Sequence, residues 1–162
     1  MTLRRGEARS FDYSADENAR ILVLGSMPGA ESLRQRQYYA FKHNVFWRIM
    51  GEVYGFSPEL PYSERLAELR RCGVALWDVL AECVRPGSLD SDIRAPRPND
   101  IPALMKKLPK LEKILCNGGA SRNYLRRFFP ELAAEQLPST SPAAARWTYA
   151  QKLAAWTAAL EN

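Results

Sequence analysis

The stretch ILVLGSMPG, residues 21–29, decides the fold. Its apolar start lacks polar alternation, which is typical of a strand buried on both faces of a sheet. The glycines and the proline that follow predict a sharp turn, in which the backbone approaches a ligand closely. Two interpretations remain open: a turn whose free N–H groups bind an anion, and an ordinary strand-to-helix turn.

A second segment of the same kind, LPSTSPAAA at residues 137–145, lies near the other end of the chain. If both apolar runs are parallel strands, both loops lie at the carboxyl edge of one sheet, where open α/β sheets bind ligands. Ser141 and Pro142 also have the pattern of a helix start, whose exposed N–H groups would bind a phosphate. The two segments together predict a candidate binding site.

Strand-like and helix-like patterns alternate along the rest of the chain. The predicted strands are ILVLG, VALWDVL, EKILCNGG and EQLPSTSP, and the predicted helices are HNVFWRIMGEVYGF, SERLAELRRC, NDIPALMKKLPK, ASRNYLRRFFPEL and ARWTYAQKLAAWTAALEN. We expect an α/β fold, a three-layer sandwich with a central, mainly parallel four-stranded sheet flanked by helices. We expect one domain over residues 1–162, with a long functional loop at residues 85–98.

Composition limits the class of protein and the kinds of site. Hydrophobic residues make up 46% of the chain and charged residues 25%, which is ordinary for a soluble globular protein. The formal net charge of +5 is compatible with a polyanionic partner. Cys72, Cys83 and Cys116 form no C-x-x-C pair, and His43 is the single histidine. We therefore expect a cytoplasmic protein in a reducing compartment, without a metal site.

The segment QYYAFKHNVFW, residues 37–47, gathers aromatic side chains around Asn44. Aromatic faces stack on unpaired bases, which contributes about 1–3 kcal/mol per base. Tyr38 and Tyr39 precede the predicted helix, so at least one of them is expected to face a pocket. Asn44 has an alternative interpretation as a helix N-cap. We expect the aromatic residues that follow it to pack in the core.

Asn117 ends the third predicted strand and is expected at the same sheet edge as Ser26. A side-chain amide donates and accepts hydrogen bonds at once, which suits the recognition of a base edge. The alternative is an asparagine that satisfies its own turn. Several basic residues close to these loops either neutralise phosphates or form solvated helix faces: Arg34, Arg36, Lys42, Arg122, Arg126 and Arg127.

The whole series of motifs resembles the uracil-DNA glycosylase superfamily, and most of all its hypoxanthine (deoxyinosine) DNA glycosylase branch. The resemblance is carried, in chain order, by GSMPG, YYAFKHNVFW, ALWDVL, GSLDSDI, CNGGAS and LPSTSPA. Many superfamily members have Asp or Asn before the Pro-Gly of the first motif, where it activates water, but this chain has Met27. The branch relies instead on an Asn just before its Phe-Trp pair, which corresponds to Asn44. Its third-strand Asn corresponds to Asn117.

Two departures from the superfamily pattern concern histidine. Many relatives have His-Pro shortly before the catalytic Asn, whereas this chain has Phe41 and Lys42 there. His43 directly precedes Asn44, so the role of this histidine stays open. The second superfamily motif often begins His-Pro-Ser, whereas here it begins with Leu137. No histidine of that loop is therefore expected to stabilise a leaving base.

The resemblance implies a base-excision repair enzyme that hydrolyses the N-glycosidic bond of a deaminated base, with hypoxanthine as the expected base, and leaves an abasic site. Asn44 would orient the attacking water, and Tyr39 would stack on the flipped base. The base would be hydrogen-bonded by Asn117 and by the loop formed by Gly25, Ser26 and Met27. The expected DNA contacts are Lys42, Ser139, Thr140, Ser141 and Ala143.

The expected partner is double-stranded DNA that contains a deaminated base, with single-stranded DNA as an alternative. We expect a monomer that uses no cofactor or metal, binds no membrane and lies in the nucleoid when it acts on DNA. A Schiff base on Lys42 would add lyase activity, but a phosphate contact is the preferred role, so we expect a monofunctional enzyme.

Three alternative functions remain. They are a uracil-specific or mismatch-specific glycosylase, a non-catalytic module that binds damaged DNA, and a hydrolase that uses Ser26. Asp90 and Asp92 are expected to be solvated loop acids, with a functional carboxylate pair as the alternative.

Overall fold

Four parallel strands form the main sheet of the computed structural model, which describes residues 6–161. Their order is β3 (Val74–Asp78), β2 (Ile21–Gly25), β6 (Lys113–Asn117) and β7 (Glu135–Leu137). These strands lie within the four segments predicted from the sequence, and the α/β sandwich is confirmed. The predicted domain, residues 1–162, extends beyond the described residues at both ends.

Alternate residues of β2 enter two different hydrophobic cores. Ile21 and Val23 pack with α2 (Phe46–Tyr54), α3 (Tyr62–Arg71) and α6 (Tyr149–Glu161) on one face of the sheet. Since each fully buried large apolar side chain contributes about 1.5–3 kcal/mol, this face stabilises the sheet strongly.

Leu22 and Leu24 pack on the opposite face with α4 (Ile101–Lys106) and α5 (Gly119–Phe128). Every residue of β2 is buried, as its continuous apolar sequence predicts. The main sheet is therefore the central layer between two layers of helices.

The segment VALWDVL was predicted as one strand, and this prediction is wrong. The main-sheet strand ends at Asp78, and β4 (Leu80–Val84) belongs to a second sheet. The chain changes direction because Val79 donates a backbone hydrogen bond to Gly25 O (2.8 Å) and Leu80 donates one to Ser26 O (3.1 Å). Residues 79 and 80, just after β3, are therefore hydrogen-bonded to the turn after β2 and leave the main sheet with it.

The second sheet is antiparallel, with the order β1 (Glu7–Arg9), β4 and β5 (Arg94–Pro98). Residues 85–98 are therefore not a loop throughout, since Asp90–Asp92 form a 3-10 turn and the last five residues form β5. The sequence of β5, RAPRP, does not resemble a strand, because proline is unfavourable in most strands. Strand β5 lies at the edge of the second sheet, where proline is tolerated because one side of the strand forms no ladder hydrogen bonds.

The last helix begins at Tyr149, so the helix start predicted at Ser141 is wrong, and no helix N-terminus there can bind a phosphate. Residues 141–147 form turns and bends, and Ser141 Oγ accepts a hydrogen bond from Ala143 N (3.2 Å). Thr148 and Gln151 cap α6 reciprocally, each side chain accepting from the other's backbone N–H (2.9 and 3.1 Å). This Thr-x-x-Gln capping box was readable in the sequence.

One short helix, α1 (Ala30–Gln35), was not predicted. It follows the GSMPG turn directly. Within residues 6–161, no helix is both long and apolar enough to span a membrane.

Candidate active site

The loops after the four main-sheet strands surround a cavity of about 530 Å³ at the carboxyl edge of the sheet. All but one of the predicted site residues line it: Gly25, Ser26, Met27, Tyr39, Asn44, Asn117, Ser139, Thr140, Ser141 and Ala143. The exception is Lys42, which is exposed and is not among the lining residues. His43 is also exposed, and its ring packs against Phe41 with the centroids 5.3 Å apart.

The GSMPG loop lines the cavity. Its central residue, Met27, has no side-chain group that could activate a water molecule. The Met27 side chain is buried in a third core, between α1 and the second sheet. Ser26 Oγ donates a hydrogen bond to Asp90 Oδ1 (2.8 Å), and Ala30 N donates to Ser88 Oγ (2.7 Å). The N–H at the start of α1 is therefore already occupied, which favours the structural interpretation of this turn over the anion site.

Tyr38 and Tyr39 both line the cavity, but they differ in burial. Tyr38 is a core residue, whose hydroxyl donates to Asp12 O (2.9 Å). Tyr39 has a left-handed backbone with φ 56° and stacks on Phe46 with ring centroids 4.1 Å apart. The partly buried Tyr39 is therefore the better placed of the two to contact a ligand, and Phe46 fixes the plane of its ring.

Asn44 lines the cavity, but it is not the N-cap of α2, which is Val45. Asn44 Oδ1 accepts a hydrogen bond from Phe46 N (3.0 Å), the first residue of α2. The backbone N–H of Val45 donates to Thr140 O (3.0 Å). The bond to Phe46 N therefore sets the orientation of the Asn44 side chain at the cavity wall, and Thr140 sets the position of the segment.

Asn117 does not satisfy its own turn. Its Oδ1 accepts a hydrogen bond from Thr140 N (2.9 Å), and its Nδ2 donates to Thr140 Oγ1 (3.0 Å). The Oδ1 atom keeps a second lone pair and the Nδ2 atom keeps a second hydrogen, and both can form further hydrogen bonds. The Asn117 amide is thus held in one orientation and can still bind a ligand.

Sequence reasoning missed Asp78, the last residue of β3. Its side chain lines the cavity with 3% of the residue exposed, and its Oδ2 has no hydrogen-bond partner among residues 6–161. Burial, together with the nearby Asp90 carboxylate, raises the pKa of Asp78 to about 7, although Arg85 opposes this rise. The strand-end rule that pointed to Asn117 would have found Asp78, had the strand been ended correctly.

Asp90 also lines the cavity, so it is not simply a solvated loop acid. Its carboxylate accepts the hydrogen bond from Ser26 and raises the pKa of Asp78. Asp92 is not among the lining residues. The carboxyl groups brought together are therefore Asp78 and Asp90, which are separated along the chain by β4.

The basic residues near the loops are mostly available to solvent. Arg36, Lys42, Arg126 and Arg127 are exposed, while Arg34 forms an ion pair with Glu31. Throughout the described chain, no group of three or more His, Cys, Asp or Glu side chains is placed to hold a metal ion.

Comparison with known proteins identifies relatives over most of the chain. The family model "Uracil DNA glycosylase superfamily" matches residues 11–161. A hypoxanthine DNA glycosylase of Methanosarcina acetivorans is 38% identical over 144 residues, which cover 86% of this chain and 90% of the relative. A hypoxanthine DNA glycosylase of Methanosarcina barkeri is 39% identical over 117 residues, which cover 72% of this chain and 74% of the relative.

A solution NMR structure gives the same result for the fold. The protein, from Methanosarcina acetivorans, is provisionally described as a uracil DNA glycosylase. It superposes with a TM-score of 0.80 at 36% sequence identity, covering 96% of this chain and 99% of that chain.

Proposed function

This chain belongs to the uracil DNA glycosylase superfamily, and we propose that it is a DNA glycosylase that releases hypoxanthine from DNA. One observation of the structure carries the proposal. Asn44 and Asn117, 73 positions apart in the sequence, line one cavity of about 530 Å³ at the carboxyl edge of the sheet. This volume is within the usual range for a pocket that binds a small ligand.

The base must leave the DNA stack before it can enter this cavity. Flipping costs a few kcal/mol, and less for a mispaired base such as hypoxanthine opposite thymine. The Tyr39 ring, held by Phe46, offers a face for stacking. The free positions of the Asn117 amide offer hydrogen bonds to the base edge, together with the backbone of residues 25–27.

Hydrolysis replaces the bond between the sugar C1′ and the base nitrogen. The oxygen of water bonds to C1′, the electron pair of the broken bond leaves with the base, and the water loses one proton while the base gains one. The Asn44 amide is too weak a base to take the proton from the attacking water, so its contribution is to position that water. The hydrogen bond from Phe46 N to Asn44 Oδ1 keeps that side chain in place before substrate binds.

In this proposal, the loop 138–141 holds the DNA strand. It is braced by α6, since Trp156 Nε1 donates to Pro138 O (2.9 Å) and Lys152 Nζ donates to Ser141 O (3.0 Å). The hydroxyls of Ser139 and Ser141 can donate to phosphate oxygens, which position a duplex without reading its sequence. The net charge of +5 favours this contact with a polyanion.

Two exposed apolar side chains line the mouth of the cavity. Phe41 and Leu89 are 41% and 58% exposed. Architectural and base-flipping proteins insert such side chains between base steps. We assign Leu89 to the space that the flipped nucleotide leaves in the duplex, because it is the more exposed of the two.

The proposal is tested with oligonucleotide duplexes that each contain one hypoxanthine or one uracil, with an undamaged duplex as the control. Alkali then cuts the strand at every abasic site. We expect faster release of hypoxanthine than of uracil, and no strand cleavage before alkali because the enzyme is monofunctional. Faster release of uracil would favour the uracil-specific alternative. Damage-dependent binding without any base release would favour the non-catalytic module.

A further inference from the structure

The floor of the cavity holds a carboxyl group that the reaction described above does not use. Asp78 is buried at the end of β3, and its Oδ2 makes no hydrogen bond within the described part of the chain. Buried polar atoms almost always have a partner, so one without a partner in a ligand cavity points to a ligand group.

Gly25 leaves the space that this carboxyl group occupies. A Cβ at Gly25 would clash with Asp78 Oδ1 and would lie 3.1 Å from the Tyr39 hydroxyl oxygen. The Asp78 carboxyl and the Tyr39 hydroxyl therefore converge on the residue that opens the GSMPG loop. A side chain at this position would displace both groups from the floor of the cavity.

Some donors in the wall are already engaged, since Ser26 Oγ donates to Asp90 and one hydrogen of Asn117 Nδ2 is used by Thr140. The second hydrogen of Asn117 Nδ2 remains available to the base, and the Tyr39 hydroxyl makes no hydrogen bond within residues 6–161. A base that loses its bond to the sugar gains negative charge, which a hydrogen-bond donor stabilises and a carboxylate would repel. The protonation state of Asp78 therefore determines whether this group helps or hinders the reaction.

We propose that Asp78, in its neutral form, donates a hydrogen bond to the bound base and stabilises the negative charge that the base acquires as the glycosidic bond breaks. The inference rests on the proposed glycosylase function. The acceptor on the base is the carbonyl oxygen or a ring nitrogen of the 6-oxopurine.

The surroundings of Asp78 keep a large neutral fraction at neutral pH. Burial is the main cause that raises the pKa of Asp78 to about 7, and the Asp90 carboxylate on the 3-10 turn raises it further. Arg85, which follows β4, acts in the opposite direction. Within residues 6–161, the hydroxyls of Tyr38, Tyr39 and Tyr62 also interact electrostatically with Asp78. Burial raises the pKa of each of these hydroxyls, so they stay neutral in the relevant range.

The test is the single-turnover rate of hypoxanthine release between pH 5.5 and 9, with duplex affinity measured separately. We expect the wild-type rate to fall as the pH rises through about 7. Asp78→Asn should remain active with a flat profile, because its amide donates at every pH. Asp78→Leu should lower the rate about 100-fold, the usual effect of removing one such donor, without weakening DNA binding.

Two further variants sharpen the assignment. In Asp90→Asn, the rate of hypoxanthine release should fall at a lower pH than in the wild type, because removing a negative neighbour lowers the pKa of Asp78. Asp16→Asn is the matched control on a distant turn, where Oδ1 accepts from Asn18 N, and it should keep the wild-type profile.

The outcomes separate the inference from the function on which it rests. No base release by the wild-type protein would overturn both. Wild-type release, together with full activity of Asp78→Leu, would overturn the inference alone. A rate that rises with pH and is lost in Asp78→Asn would also overturn it, because Asp78 would then act as a carboxylate. Since the wild-type profile is itself informative, failure of a variant to fold does not remove the test.

Discussion

Thr140 holds the side-chain amide of Asn117 from two directions, through its backbone N–H (2.9 Å) and its hydroxyl oxygen (3.0 Å). Its carbonyl oxygen also accepts from Val45 N, next to Asn44. One almost fully buried residue thus connects the two asparagines of the cavity. The geometry of the site depends on this contact between loops that are far apart in the sequence.

Thr140→Val should slow base release while the protein stays folded, because it removes the hydroxyl that accepts from Asn117 Nδ2 and leaves the Asn117 amide held only by the backbone N–H of residue 140. The lost hydrogen bond should cost about 0.5–1.5 kcal/mol of stability. Single-turnover kinetics and thermal denaturation measure the two effects. Thr140→Ser keeps the hydroxyl and should recover most of the rate. A wild-type rate in the valine variant would show that the hydrogen bond from Asn117 Nδ2 to the Thr140 hydroxyl is not needed for base release.

Asn44→Ala should remove nearly all base release, with a fall of roughly 100-fold or more, because the attacking water is no longer positioned. The loss of its hydrogen bond to Phe46 N should cost about 0.5–1.5 kcal/mol of stability. The control is Asn123→Ala, on an exposed position of α5, which should release hypoxanthine normally. Retention of activity in Asn44→Ala would refute the assigned role.

Leu89→Ala should weaken binding to a damaged duplex more than binding to a damaged single strand, because only the duplex has a stack to fill. Leu89 is 58% exposed, so we expect a change in stability within about 0.5 kcal/mol. Binding titrations with both substrates measure the difference. Val84→Ala, an exposed apolar position on the second sheet, is the matched control. An equal loss on both substrates would argue against insertion into the stack.

The contribution of Asp78 to the free energy of unfolding should fall as the pH rises from about 4 to about 7. Its pKa is raised from 3.8 to about 7 on folding, so the folded state binds the proton more tightly than the unfolded state. The neutral form carries no penalty below the unfolded pKa. Above the folded pKa the buried charge costs on the order of 4 kcal/mol, at about 1.4 kcal/mol per pKa unit.

Asp78→Asn removes this penalty and should be more stable than the wild type at pH 8, with a much smaller difference at pH 4. Denaturant unfolding of both proteins at pH 4 and pH 8 measures this difference in stability. Equal pH dependence of the two proteins would mean that Asp78 titrates normally in the folded state.

The four strands of the main sheet and most of the cavity wall were predictable from local sequence. A buried parallel strand is a continuous apolar run, and glycine, proline or asparagine marks the point where it ends, as in ILVLGSMPG and EKILCNGG. Asn44 and Asn117 came from the resemblance to a family and from their positions beside such elements. The capping box formed by Thr148 and Gln151 is an equally local pattern.

The second sheet could not be predicted in the same way. Strand β5 reads RAPRP, and it forms a strand because it pairs with β4, with Arg97 close to Glu82 (3.4 Å). The division of VALWDVL at Val79 likewise depends on hydrogen bonds to Gly25 and Ser26, more than 50 residues earlier. Such pairings are absent from any local pattern.

The sequence by itself determined the central sheet and its two layers of helices, because these follow from periodicity and from the chemistry of strand ends, while the resemblance to a family pointed to Asn44 and Asn117. Only the tertiary structure decided that Asp78 is buried near Asp90 with its Oδ2 unpartnered among residues 6–161, and that Thr140 fixes Asn117. The reason is physical: desolvation and hydrogen-bond geometry depend on which distant residues meet in space. Local sequence carries no information about those neighbours until the chain has folded.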